Sequence, residues 1–319
     1  MHRKYTVPIL ALVLALLLGG CAAAPAEAEE MSLAATTYPV WQFTCAVVEG
    51  TELTVERVIT EPVSCLHDYS LSVAQMKALA RSSVVIISGL GLEDFMQDAL
   101  SQAVLVIDAS AGVQTLCTEA HAHEEHEEHE EHEAHEEHAH EAAAVHAHHG
   151  HDHGENDPHI WLDPARAAQM TQNICAALSE QYPQYRAQFA ENTARYCARL
   201  DALAEEITDG LSALSERTLV TFHDGFSYFA EAFDLTIAAA MEVEAGSEVP
   251  ARELEQIARL VTALALPAVF VESSGDTAAA TIIAGETGAR VETLDMCMGE
   301  LDYFSAMRQN LNAIKGALE

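Results

Sequence analysis

Short apolar runs alternate with helical ones along most of this chain, and that alternation does most to narrow its fold. "LTVERVI" (53–59) reads as a strand and "SVAQMKALARS" (72–82) as a helix opened by its serine. "VVIISG" (84–89) is apolar without a break, "LEDFMQDAL" (92–100) is helical, and "AVLVIDAS" (103–110) is a third strand. A strand with no polar face suits a parallel sheet covered by helices on both sides. The rhythm resumes after residue 215. "RTLVTF", "LTIAAAME", "AVFVES" and "ARVETLD" are strands, separated by the helical runs "GFSYFAEAF", "PARELEQIARLVTAL" and "TAAATIIAGETG", with "YFSAMRQNLNAIKGAL" as the last helix.

Between the two halves lies "QYRAQFAENTARYCARLDALAEEITDGLSAL" (184–214), which has no proline and one glycine near its end. Tyr185, Phe189, Tyr196, Leu200, Leu203 and Ile207 recur there at helical spacing. So long a helix is unusual in a globular domain, and a rigid connection between domains is its natural use. The expected fold is α/β: two lobes, each a mainly parallel sheet with flanking helices, joined by one long rigid helix. One continuous sheet is the alternative. The expected boundaries are an N-terminal lobe over 34–183, the connecting helix over 184–214 and a C-terminal lobe over 215–319.

The start, "MHRKYTVPILALVLALLLGGC", has two basic residues, an apolar run from Val7 to Leu18, and small residues before Cys21. This reads as a signal peptide over 1–20 ending in a bacterial lipobox, with Cys21 lipidated and 21–33 a flexible tether. An ordinary signal peptide beside a chance cysteine is the plainer alternative. The body is expected to be extracytoplasmic, held at the membrane surface and monomeric. Fifty acidic residues against fifteen basic give a formal charge of −35, which disfavours nucleic acid as a partner and suits cations. Six further cysteines (Cys45, Cys65, Cys117, Cys175, Cys197, Cys297) form no CxxC pair. Disulfides or buried thiols are expected of them, with thiolate ligation a lesser alternative for Cys65 and Cys297.

Thirteen of the seventeen histidines crowd between His121 and His153, within a His- and Glu-rich loop over 119–155. From His123 to His138 they recur every third residue or nearly so, among glutamates and with no apolar face. Such a tract cannot build a core. Weak, exchangeable metal sites are expected there, as an accessory to a site elsewhere; a solvated charged loop is the alternative.

Away from the tract, His67, His159 and His223 stand in "VSCLHDYSLS", "NDPHIWLDP" and "FHDGFSYFAEAF", and Asp295 closes "VETLD". Each sits in a loop or at a strand end ahead of a helix, where open α/β sheets place ligands. Two come from each lobe, so a cleft between the lobes would collect them. Three imidazoles and a carboxylate suit tetrahedral zinc; a second carboxylate in place of an imidazole would favour manganese. Taken singly, each histidine could as well be a capping or hydrogen-bonding residue. Asp68, Asp157, Asp163 and Asp224 flank the histidines, either capping helices or accepting from the far ring nitrogen. Glu93 and Glu242 are weaker substitutes for the fourth ligand.

These motifs, with "TTYPVWQFTCAVVEG" near the start, resemble the cluster A-I solute-binding lipoproteins of bacterial ABC transporters, in particular the zinc-binding ones. The resemblance covers nearly the whole mature chain. It implies that His67, His159, His223 and Asp295 hold the ion, and that the partners are a membrane permease and its cytoplasmic ATPase. It also implies two lobes closing modestly about a rigid helix. Where the family's manganese binders carry glutamate, this chain has His223. Leu66, Ser70, Leu71 and Ser72 depart from the family wording around the first histidine, and the sequence around Asp295 is atypical, so a water or neighbouring carboxylate could complete the shell instead. A surface zinc buffer using the tract and an adhesin-like surface protein are the other classes of function. No HExxH stands in the chain, and a filled shell offers no activated water, so no enzyme activity is expected.

Imidazoles bind metal only when neutral, with an ordinary pKa of about 6.5, so zinc affinity should fall as the medium acidifies through that range. Chelator-competition titrations check this. An affinity unchanged between about pH 5 and pH 8 would contradict imidazole ligation.

Overall fold

The computed structural model describes residues 32–61, 63, 66, 69–116, 157–241, 249–273, 275–299 and 301–319. The signal peptide, Cys21, the tether as far as Met31, Cys65, His67, Asp68, Cys117, Glu242 and the histidine tract lie outside these residues. Among the described residues, no helix is long and apolar enough to cross a membrane.

Two separate four-stranded sheets form, which settles the choice between two lobes and one sheet. The first contains β1 (Ser32–Ala35), β2 (Thr54–Arg57), β3 (Val84–Ile87) and β4 (Val106–Asp108) in the order β2-β1-β3-β4. The second contains β5 (Thr218–Thr221), β6 (Thr236–Ala240), β7 (Ala268–Glu272) and β8 (Arg290–Leu294) in the order β6-β5-β7-β8. Every pairing is parallel, and the winding is the same twice. In each sheet the order reverses beside the first strand, and the carboxyl edge at such a reversal is where α/β sheets leave a crevice.

The helices are α1 (Tyr38–Val48), α2 (Val73–Arg81), α3 (Gln97–Leu100), α4 (Pro164–Gln181), α5 (Arg186–Leu211), α6 (Ser227–Ala232), α7 (Ala251–Ala263), α8 (Ala278–Thr287) and α9 (Tyr303–Leu318). Their starts follow local chemistry. Ser72 and Gln75 form a reciprocal capping box on α2, and the Asp163 and Asp302 carboxylates accept the first free N–H groups of α4 and α9. Gly288, left-handed at φ +79°, ends α8.

Two stretches differ from the sequence reading. The first strand and helix, "SLAA" and "YPVWQFTCAVV", were not anticipated as elements, because β1 is short and half alanine. Yet β1 is central to its sheet, and it begins at Ser32, inside the expected tether. The run 92–100 is a 3-10 turn (Asp94–Met96) followed by the single turn of α3. Its bend has a cause: Gly89, Leu90 and Gly91 all have positive φ, and the buried Glu93 carboxylate turns back to accept from Thr36, Ser88 and Gly89.

The 26-residue helix α5 buries Phe189, Tyr196, Leu200, Leu203, Ile207 and Leu211 along one stripe. It packs against α1 and α4 of the first half and α9 of the second. Asn192 Nδ2 donates to the Val47 and Glu49 carbonyls, and Arg308 grips Glu206 with two nitrogens, so both halves are fastened to this one helix. A single apolar cluster runs from the first sheet through α4 and α5 to Phe270, Leu294 and Tyr303. A second covers the far face of the second sheet around Val220, Ile257, Val269 and Ile283. Cys45, Cys175, Cys197 and Cys297 are free thiols, so the disulfides expected of the cysteines do not form among these four.

Candidate metal centre

His159 is delivered by "DPHIWLDP". Asp157 Oδ1 accepts the His159 main-chain N–H at 2.9 Å and lies 2.7 Å from its ring Nδ1. A carboxylate facing Nδ1 holds the ring proton there and leaves the Nε2 lone pair free to bind a metal. Next, a 3-10 turn (Ile160–Leu162) buries three apolar side chains before Asp163 caps α4. Asp163 also pairs with Arg166 at 2.8 Å. Of the two aspartates flanking this histidine, Asp157 accepts from the ring and Asp163 caps a helix.

His223 follows β5. The Phe222 N–H reaches the Phe270 carbonyl at 2.9 Å, so strand pairing with β7 continues to the residue before the histidine. His223 is only 6% exposed, as is His159. Gly225 lies flat against the His223 ring: a Cβ there would stand 2.7 Å from His223 Cδ2 and 2.5 Å from Met296 Cε. Any side chain at 225 would collide with both the ring and the methionine.

The two imidazoles, from opposite halves of the chain, converge. Their Nε2 atoms are 3.4 Å apart and their rings stand nearly perpendicular, at 86°. In a zinc tetrahedron with Zn–N of about 2.0–2.1 Å, neighbouring nitrogens lie about 3.3–3.4 Å apart. The pair therefore already spans one edge of such a shell.

Asp295 comes directly after β8 and is buried. Its N–H donates to Asn310 Oδ1 at 2.6 Å and its carbonyl accepts from Asn310 Nδ2 at 2.8 Å, a two-way clamp from α9. Its Oδ1 accepts the N–H of Cys297, whose backbone is left-handed at φ +60°. The Cys297 thiol is held well above its ordinary pKa, first by burial and then by the charges of Asp295 and Asp302. In the metal-free protein this favours the thiol over the thiolate. Trp161 Nε1 donates to the Met296 carbonyl at 2.8 Å, and Tyr303 Oη donates to the Trp161 carbonyl at 2.8 Å, so the His159 turn and the Asp295 loop are stitched together.

Of the four expected ligands, the structure brings His159 and His223 into contact and sets Asp295 one residue from Met296, which touches both the His223 wall and the His159 turn. His67 lies outside the described residues. Among the described residues, no three His, Cys, Asp or Glu side chains close on a single point. Glu93 has both carboxylate oxygens committed to donors of the first lobe. Sequence reasoning missed Asn310 and Trp161. The signal for Asn310 was a buried amide inside the apolar stripe of Met307, Leu311 and Ile314.

A family model described as "Zinc-uptake complex component A periplasmic" matches residues 33–317. The zinc-binding lipoprotein AdcA of Streptococcus pneumoniae serotype 4 is 27% identical over 96% of this chain, and the chain spans 60% of that relative's length. The zinc-binding protein AdcA of Streptococcus pyogenes serotype M3 is 26% identical over 90% of this chain and 56% of its own length. Among solved structures, a crystal structure of ZnuA aligns with TM-score 0.71 at 27% identity, covering 91% of this chain and 99% of that one. The Zn(II)-bound ZnuA-like domain of Streptococcus pneumoniae AdcA shares the fold with TM-score 0.70 at 23% identity, over 91% of this chain and 99% of its own.

Replacing Asn310 by leucine strips both hydrogen bonds from a buried main chain. The expected loss is about 2–4 kcal/mol of stability and roughly tenfold in zinc affinity, as for other supports of a ligand. Urea unfolding of the metal-free protein and zinc titration check the two parts; unchanged affinity would show that Asp295 needs no such support.

Proposed function

This chain belongs to the zinc-uptake complex component A family, and on that premise we propose that it is the extracytoplasmic zinc receptor of an ABC importer. It captures Zn²⁺ and passes it to a membrane permease driven by a cytoplasmic ATPase. The observation that carries this reading is the buried His159–His223 pair, with Nε2 atoms 3.4 Å apart and one ring fixed by Asp157. His67 and Asp295 complete a three-imidazole, one-carboxylate shell in this proposal.

An imidazole at His223, where a carboxylate would favour harder ions, supports zinc over manganese. A shell filled by four protein ligands leaves no position for an activated water, so the proposed task is capture and delivery. The zinc-binding lipoprotein among the relatives supports anchoring through lipidated Cys21, and in this proposal the protein works as a monomer at the membrane surface. The tract over residues 121–153 serves this site as an accessory that raises local zinc supply.

Calorimetric zinc titration of the soluble mature domain tests the reading, beside a form lacking residues 121–153 and a form carrying His67→Ala with His223→Ala. One tight equivalent should survive the deletion and vanish in the double substitution. Tight binding that leaves with the tract would make the protein a surface zinc buffer instead.

A further inference from the structure

Tyr228 is fully buried in the short helix α6, five residues after His223. Its hydroxyl has two partners from the other half of the chain. It donates to the Asp157 carbonyl at 2.9 Å and accepts the Leu116 N–H at 3.1 Å. Leu116 lies three residues before the His- and Glu-rich loop over 119–155, and Asp157 two residues after it. Chain on both sides of that loop therefore meets on one oxygen atom.

Arg166 reinforces the junction. Its guanidinium lies 4.7 Å from the Tyr228 ring centroid, its Nε donates to the Gln114 carbonyl at 2.9 Å, and its Nη1 reaches Asp163 and Glu231 at 2.8 and 2.7 Å. Chain upstream of the segment, the start of α4 downstream of it, and α6 of the second lobe are all tied at this point. Burial pushes the phenol up to about 12, so the hydroxyl keeps its proton throughout the neutral range and remains a donor.

Asp157 is gripped at both ends: Tyr228 holds its carbonyl, and its carboxylate holds the His159 N–H and Nδ1. The interactions close a ring that runs from Tyr228 through Asp157 and His159 to His223 and back along five residues to Tyr228. Loop-closure entropy makes a long connection hold its two ends together less firmly than a short one, and in this ring Asp157 is held by its carbonyl while its carboxylate holds His159.

We propose that the Tyr228 hydroxyl is a positioning group for zinc binding, clamping the two ends of the histidine-rich segment so that Asp157 holds His159 in its ligating orientation. This rests on the reading of His159 as a ligand.

The test is Tyr228→Phe, which removes one oxygen and keeps the ring under Arg166, made in the full mature chain and in the form lacking residues 121–153. Zinc release into a chelator should quicken about tenfold in the full chain, in the range seen when supports of a ligand are removed. The absorption spectrum of bound Co²⁺ should change in band shape with it. In the shortened chain, where a brief connection keeps the ends together, the effect of Tyr228→Phe should fall below about threefold. Leu116→Pro, which takes away the N–H that the hydroxyl accepts and constrains the backbone at residues 115 and 116 without touching the second lobe, should also quicken release in the full chain. Release and spectra unchanged in both substitutions would overturn the clamp, and so would an equal loss in both lengths of chain, which marks a merely structural role. His159→Ala separates the two levels of argument. If it keeps tight binding, the ligand reading falls and the clamp with it; if it loses binding while Tyr228→Phe behaves as wild type, the clamp alone falls.

Discussion

The proposed metal site depends first on the contact between the buried Asp157 carboxylate and the His159 ring. An imidazole has two nitrogens, and only an unprotonated one can take a metal. With Oδ1 of Asp157 at 2.7 Å, the proton of His159 belongs on Nδ1 and the lone pair is left on Nε2, the atom nearest His223 Nε2. In the proposed site, the 3.4 Å gap between the two Nε2 atoms matches the edge of a tetrahedral zinc shell and is set before any ion arrives. Preparation of this kind favours affinity, because little order remains to be imposed on binding.

The surrounding fold keeps that edge in register. His159 lies on a turn of the first lobe and His223 at the strand-order reversal of the second sheet, so their spacing depends on how the lobes are joined. The joints are numerous. Helix α5 packs against both halves, Trp161 bonds to the Met296 carbonyl, Tyr303 bonds to the Trp161 carbonyl, and the Tyr303 N–H bonds to Gln42. A continuous apolar cluster underlies them. Close-packed joints of this kind permit small adjustments and resist wide hinging.

Much of this was legible in the sequence, for identifiable reasons. Parallel strands buried on both faces leave unbroken apolar runs such as "VVIISG", and a 26-residue helix leaves a long periodic stripe. Isolated histidines at loop positions were visible because the remaining ones crowd into a single tract. What escaped depends on contacts between distant residues. "SLAA" has no strand signature of its own and becomes a central strand only through its neighbours β2 and β3. The bend at residues 92–100 follows from where Glu93 finds its donors. Asn310, Trp161 and Tyr228 read as ordinary members of apolar runs. Their roles lie in hydrogen bonds to main-chain atoms 15, 135, 71 and 112 residues away, which no local pattern encodes.

The central claim is that the ion sits on the edge between His159 and His223. Diffraction from zinc-loaded crystals, with data on both sides of the zinc absorption edge, tests it most directly. The account predicts one strong anomalous peak about 2.0–2.1 Å from both Nε2 atoms, with the His159 Nδ1 still against Asp157. A peak bound by other residues, or a shell that uses His159 through Nδ1, would contradict it.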